Sequence, residues 1–447
     1  MTMTPKQALP ELDFQASLQS QLKKSLEHSV GDAFMQKSKT KAWDHFLSHG
    51  LPSRKTEQYQ YIRLHNLFAQ TYTVAPASQI SKEQIAPFVI PECSDACIVF
   101  VNGHLQSHLS SLTGIPKQVV LLPFSEATKS YGAFLNNHWS KALKDEKDSF
   151  ATLNAALHLN GAFLYIPPKV VVESPIQILY LTDSTNLQIA PQRVASHPRM
   201  QIFAGTRSQS SFVTTQAYLS PSGCLLNQST DIAIEEDATV QYTQIACNAS
   251  ANMWVFDALR ATLKRNGKLT TTCVTDGAAT SRHDYRIGLT GENGEVTLNG
   301  LWTLSDNRES HVNILVEHQA PHCRSMQRFK GVLNDSSRSS FEGKILVQQA
   351  AQKTEAFQLN NNLLLSDSAQ ANSKPNLEIY ADDVKASHGA TVGQLDQEQL
   401  FYMKTRGFSH AAAQRMLVHS YCKEIIDCIP IFSLQQDLNK QLFQQAS

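Results

Sequence analysis

The sequence predicts a mainly β protein: a β-solenoid (β-helix) core between two helical terminal regions. Three observations lead there. Between about residues 150 and 393, short runs rich in Val, Ile, Thr, Leu and Phe are separated by Gly, Asn, Asp and Ser, the composition of strands and turns. Within that stretch a turn followed by a strand returns at Ser210, Ala238, Gly267 and Gly294, at spacings of 28, 29 and 27 residues. On either side of it, apolar residues recur at helical intervals instead. A near-constant period over four turns points to rungs that bury their faces on one another and cannot stand alone. A β-sandwich, with turns about every 8–12 residues and no longer repeat, is the structural alternative.

Residues 1–150 form the N-terminal helical and α+β region. Leu18, Leu22, Leu26 and Phe34 fall at roughly helical spacing, and Ala96–Val101 is a buried-strand candidate closed by the turn signal Asn102-Gly103. Residues 151–393 form the solenoid core. Residues 394–447 form a C-terminal helical domain with three predicted helices. Asp396 caps the first, which ends near Gly407. Ser409 starts the second, with Ala413, Met416, Leu417, Ser420 and Tyr421 expected on one side and Pro430 beyond its end. The third runs from about Ser433 to Gln445. Helices at both ends are expected physically, because the terminal rungs of a solenoid need covering.

With 447 residues, the chain can bury a large core. Its 39 Lys and Arg balance 39 Asp and Glu, so no net field draws it to nucleic acid or an anionic membrane, and protein partners are expected. No stretch approaches the roughly 20 apolar residues of a spanning helix, and no leader is apparent, which predicts a cytoplasmic protein. The eight cysteines are scattered and none forms a C-x-x-C pair; Cys93 and Cys97 come closest. No self-sufficient zinc or cluster site follows from that spacing. A G-x-x-x-x-G-K-[ST] loop and a G-x-S-x-G elbow are both absent, so nucleotide hydrolysis and serine-hydrolase chemistry are not expected.

The densest segment combines Asn361–Ala369, Pro375–Ile379, Asp382–Val384 and Ser387–Gly393, followed by Leu400–Tyr402 and Thr405–Gly407. In order, these resemble the C-terminal signature of the SufB/SufD family of the SUF iron–sulfur cluster assembly system. Further similarity lies in Glu317-His318, Ala320-Pro321, Phe329–Gly331, Phe341–Gly343, and the N-terminal Leu51–Arg54 with Glu57. His322–Ser325 and Phe329–Gly331 resemble the SufD branch more than SufB.

The resemblance implies a right-handed parallel β-helix and a non-catalytic scaffold. It also implies pairing with SufB, and C-terminal helices that dock the ATPase SufC. ATP would then enter only through SufC, sulfur would come from SufS and SufE, and reducing equivalents from a reduced flavin. A transient Fe–S cluster would be shared with SufB.

The resemblance places His388 near the SufB interface as an iron or cluster ligand; the bland reading is a histidine hydrogen-bonded across a tight turn of the last rung. Where the family pattern carries a cysteine two positions earlier, this chain has Ala386, so no thiolate is available there. His318, His322 and Cys323 lie close in sequence, but alternation would send residues 322 and 323 to opposite faces of a strand. Asp382-Asp383 is read as turn or interface polarity, since adjacent strand residues point apart. The alternative function is a carbohydrate-active β-helix enzyme resembling a polysaccharide lyase, which would need acidic and basic groups clustered on one solenoid face.

Overall fold

In a computed structural model, residues 9–75, 78–184, 193–219, 223–250 and 252–445 are described. The predicted solenoid is present, with about seven turns, each contributing one strand to a ten-stranded sheet and one to an eleven-stranded sheet. Nearly every pairing along both stacks is parallel and joins one turn to the next. In the ten-stranded sheet Gln209, Thr239, Lys268, Glu295, Arg324, Glu355 and Lys385 follow one another in register. The last two sequence-derived spacings, 29 and 27, match that register, whereas Ser210 aligns with Val240 and not with Ala238. A turn signal locates the corner, and strand pairing begins a residue or two away from it.

One corner explains why the repeat is kept. Arg207, Asp237, Asn266, Asn293, His322 and Lys353 all have left-handed backbone, with φ between 56° and 60°. Each donates its N–H to a carbonyl of the next corner: Arg207 to Glu236, Asp237 to Arg265, Asn266 to Glu292, Asn293 to Pro321, His322 to Gln352 and Lys353 to Asp383, at 2.6–3.2 Å. Asn and Asp tolerate this conformation best among residues with a side chain, so Asp237, Asn266 and Asn293 are local sequence signals for it. Between the sheets runs a continuous apolar core that includes Ile232, Leu259, Tyr285, Leu298, Trp302, Ile314, Phe329 and Phe341.

The N-terminal region is not a separate cap. Its strand Cys97–Val101, followed by the left-handed Asn102-Gly103 turn, pairs parallel with Ile176–Thr182 and so extends the ten-stranded sheet. Val120–Pro123 pairs with Ala162–Ile166 at the head of the other sheet. The helix Ser149–Leu157 spans residue 150, and the stack's own strands start at Ala162. Helices Leu9–Glu27, Ala33–His49 and Ser149–Leu157 cover the outer face of the eleven-stranded sheet, where Phe14, Phe46, Tyr59, Phe150 and Leu153 pack on Leu225, Trp254 and Phe256.

At the other end, helices Gln397–Thr405, His410–Ile426 and Phe432–Gln445 follow the last strand; Asp396 caps the first as expected, and Ser409, the expected start of the second, is its N-cap. The middle helix lies on the outer face of the ten-stranded sheet, burying Val418, Cys422, Ile425 and Ile426 against Val274, Leu301 and Val332. Its buried side includes Ala413 and half-buried Leu417 and Tyr421, but Met416 and Ser420 are exposed. The apolar stripe is therefore rotated from the predicted one toward Val418 and Cys422.

Candidate functional site

The two ends of the stack differ in what covers them. Strands Gln370–Ile379 and Val384–Gly393 terminate the eleven- and ten-stranded sheets, and each has a neighbour on one side only. Neither shows a fully buried residue. Tyr380 and Val392 are 64 % and 48 % exposed, a high value for apolar groups at a strand end.

His388 lies in the middle of that last strand, not in a turn as the bland reading supposed. Register sets Val384, Ala386, His388, Ala390 and Val392 over Thr354, Ala356, Gln358, Asn360 and Asn362. Those five are buried between the sheets, so alternation puts the His388 row on the same lumen side, over the mouth of the solenoid. His388 itself is exposed. Ala386, two positions away on the same row, packs with Val384 against the cluster of Ile345, Val347 and Ala356.

Beneath His388 the lumen changes from apolar to amide-lined. Gln358 Nε2 donates to Gln327 Oε1 at 2.8 Å, and these residues occupy the same place in successive turns. Asn362 Nδ2 and Ser373 Oγ both donate to Asn360 Oδ1, at 2.8 and 2.7 Å.

Two glycines of the resembling motifs exist to make this space. A Cβ on Gly343 would sit 2.3 Å from Gln358 Nε2, and one on Gly331 would sit 2.1 Å from Trp302 Nε1 and 2.4 Å from Asn362 Oδ1. Lys330, between Phe329 and Gly331, points outward. There it donates to the Tyr421 carbonyl at 3.0 Å, pairs with Glu424 and lies 4.5 Å over the Tyr421 ring, tying the C-terminal helix to the sheet.

The other candidates separate. Asp382 and Asp383 are not strand residues; they form the exposed bend before the last strand, where the Asp383 carbonyl receives the Lys353 N–H. His322 is a left-handed corner residue and Cys323 is buried after it, so strand alternation does not govern them. His318 is buried with Nε2 2.8 Å from Ser325 Oγ, and burial pushes its pKa down to about 4. Among the described residues no group of three or more His, Cys, Asp and Glu could hold a metal ion. Burial pushes the thiols of Cys93, Cys97, Cys224, Cys273 and Cys422 up to about 12, and those of Cys247, Cys323 and Cys428 upward as well, which keeps them protonated.

Sequence reasoning missed the Gln327–Gln358 pair. The available signal was their separation by one repeat at the same rung position.

Residues 187–421 match the family profile described as the SUF system FeS cluster assembly SufBD core domain, and residues 14–178 match the SufBD protein N-terminal region. The chain belongs to the SufBD family. Similar proteins include a SufBD family iron–sulfur cluster assembly protein of Synechocystis, 27 % identical over 97 % of this chain and 96 % of the relative. The iron–sulfur cluster assembly protein SufD of Escherichia coli is 26 % identical, covering 94 % of this chain and 95 % of its own length. The chloroplastic protein ABCI7 of Arabidopsis thaliana is 26 % identical over 93 % and 87 %. No helix among the described residues is long and apolar enough to cross a membrane.

Proposed function

We propose that this SufBD family protein is a non-catalytic scaffold subunit of a cytoplasmic SUF complex, and that the open end of its solenoid is half of a cluster-assembly site completed by SufB. The observation that carries the reading is His388: an exposed imidazole on the lumen-side row of an edge strand, belonging to no group of three or more His, Cys, Asp and Glu that could hold a metal ion among the described residues. An imidazole is a good iron ligand, but one ligand does not hold a cluster. The missing ligands belong to a chain that docks on the unpaired edge. With Ala386 two residues away, the sulfur ligands also fall to that partner. Iron and sulfide are cargo here, and the role of this chain is to present a nitrogen at a fixed place.

The C-terminal helices supply the second contact. Phe401 and Tyr402, on the helix that follows the last strand, are 68 % and 57 % exposed, an apolar pair left unpacked against the solenoid. They suit docking of the ATPase SufC, whose nucleotide chemistry would then act on the assembly from outside this chain. SufS and SufE would deliver sulfur to the complex and a reduced flavin would supply electrons.

Substituting Phe401→Ala together with Tyr402→Ala tests the docking without removing Ile425 and Ile426, which help close the ten-stranded sheet. Co-purification should show at least a tenfold loss of SufC with SufB retained. Undiminished SufC recovery with the double variant contradicts the docking assignment.

A further inference from the structure

The lumen floor beneath His388 contains an acceptor without a partner. Gln358 is 3 % exposed, and its Oε1 makes no hydrogen bond, while its Nε2 is committed to Gln327 Oε1 at 2.8 Å. A carboxamide presents its N–H2 and its oxygen on opposite sides, so an amide whose nitrogen faces the preceding rung turns its oxygen toward the following one. The residue in register on that following rung is His388. In a parallel ladder such neighbours stand about 4.8 Å apart with their side chains on the same face. Gly343 fixes the amide further, because its missing Cβ leaves the space that Gln358 Nε2 fills.

We propose that Gln358 is the positioning residue of His388: its Oε1, unpartnered in the structure, takes the imidazole Nδ1–H when the exposed ring turns toward it, which leaves the Nε2 lone pair directed out of the solenoid mouth. The choice of nitrogen follows from reach. Nδ1 branches from Cγ at the depth of the neighbouring amide, while Nε2 forms the far tip of the ring. The arrangement is a second-sphere contact of the kind that fixes tautomer and ring orientation in metal-binding histidines. It also satisfies a buried acceptor that would otherwise cost stability. Gln327 completes the column by anchoring Gln358 from below. This assignment rests on His388 being the ligand presented to the cluster, and it names what holds it ready.

The test is the tautomer of His388 in the full-length chain without partners or metal, read by two-bond ¹H–¹⁵N correlation of ¹⁵N-histidine-labelled protein at pH 8, with the signal assigned by its loss in His388→Ala. The expected form is Nδ1–H, opposite to the Nε2–H form that free imidazole side chains favour in water. Gln358→Met removes the acceptor at similar volume and should return the signal to the Nε2–H form; Gln358→Glu keeps an acceptor and should restore Nδ1–H. In complex with SufB and SufC, Gln358→Met should lower iron affinity roughly 10- to 100-fold. A wild-type His388 in the Nε2–H form overturns the proposal, and that spectrum needs no variant to fold. An Nδ1–H form unchanged by Gln358→Met overturns it as well. If His388→Ala assembles cluster normally while the tautomer responds to Gln358, the ligand reading fails and the hydrogen bond stands, so the two failures are told apart.

Discussion

The outer face of the eleven-stranded sheet and the last rung of the same solenoid are made from one repeat, yet they treat charge and edges in opposite ways. On the outer face, Arg282 is 2 % exposed, with Nη1 2.7 Å from Asp148 Oδ2 and Nη2 2.9 Å from Asp284 Oδ2. Its guanidinium lies 4.2 Å over the Tyr59 ring, whose hydroxyl donates to Asp148 at 2.5 Å. Arg260 bridges Glu146 and Asp284, both at 2.7 Å. Burial would raise the carboxyl pKa of Asp284, but Arg260, Arg282 and Arg286 outweigh burial and hold it well below the usual range. Asp148 does double duty by capping the helix Ser149–Leu157 through the Ala151 N–H. Arg260, Arg282, Glu146, Asp148 and Asp284 each have a counter-charge from another element, and the N-terminal region is sealed to the stack.

At the last rung the ladder of charge stops unfinished. Lys268 pairs with Glu295 at 3.0 Å, Arg324 with Glu355 at 3.3 Å, and Lys385 with Glu355 at 3.4 Å, so the outward column alternates in sign and ends on a cation at the free edge. Closure and openness are both encoded in the one repeat. Where the chain supplies its own cover, it pairs the charges of the Arg282 network; where a partner is expected, it leaves strands, charges and one imidazole exposed.

The largest expected effect breaks the sealed side. Arg282→Leu leaves Asp148 buried without its paired cation, while Asp284 keeps Arg260 at 2.7 Å, and losing one member of a buried pair costs about 3–5 kcal/mol. Urea unfolding of the purified chain should report this loss, while partner binding at the open end of the still-folded protein stays intact. A loss below about 1 kcal/mol would show that the network does not seal the face.

An intermediate effect comes from acid. Burial pushes His197 down to about 3 and, more than the neighbouring His28, His104 down to about 4; burial, with Lys39 and Arg199 adding to it, holds His158 well below its usual value. These imidazoles stay neutral in the folded protein but take up protons when it unfolds. Their stabilisation is therefore complete above about pH 6.5, falls as pH drops below that value, and is lost once pH passes the folded values. Each unit of depression corresponds to roughly 1.4 kcal/mol. His197 Nε2 lies 2.8 Å from Gln21 Oε1, at the contact between the first helix and the stack. Hydrogen exchange at pH 5 against pH 7.5 should thus show the N-terminal helices loosening before the last rungs. Uniform protection at both pH values would contradict the account.

The sequence made the solenoid legible because its corners carry Asn and Asp at repeat spacing and its strands carry β-branched residues. It made the helix caps Asp396 and Ser409 legible because capping depends on residues within one turn of helix. The rotated stripe of the His410–Ile426 helix was not legible, since Met416 and Val418 are equally apolar and only the position of Leu301 and Val332 decides which is buried. The Arg282 network was hidden for a similar reason: its members come from positions 59, 146, 148, 260, 282 and 284, which no local pattern joins. At the candidate site, motif resemblance singled out His388, whereas the amide beneath it follows only from strand register.

The smallest structural effect belongs to the residue proposed as the cluster ligand. His388 is exposed on an edge strand, so His388→Ala should change the stability of the chain by no more than about 0.5 kcal/mol. The decisive measurement is anaerobic cluster reconstitution on complexes of this protein with SufB and SufC, wild type against His388→Ala, reading subunit stoichiometry together with iron and sulfide content. Stoichiometry should be unchanged, with iron and sulfide reduced at least fivefold. An intact complex carrying the normal cluster content would contradict the assignment of His388 as this chain's contribution to the site.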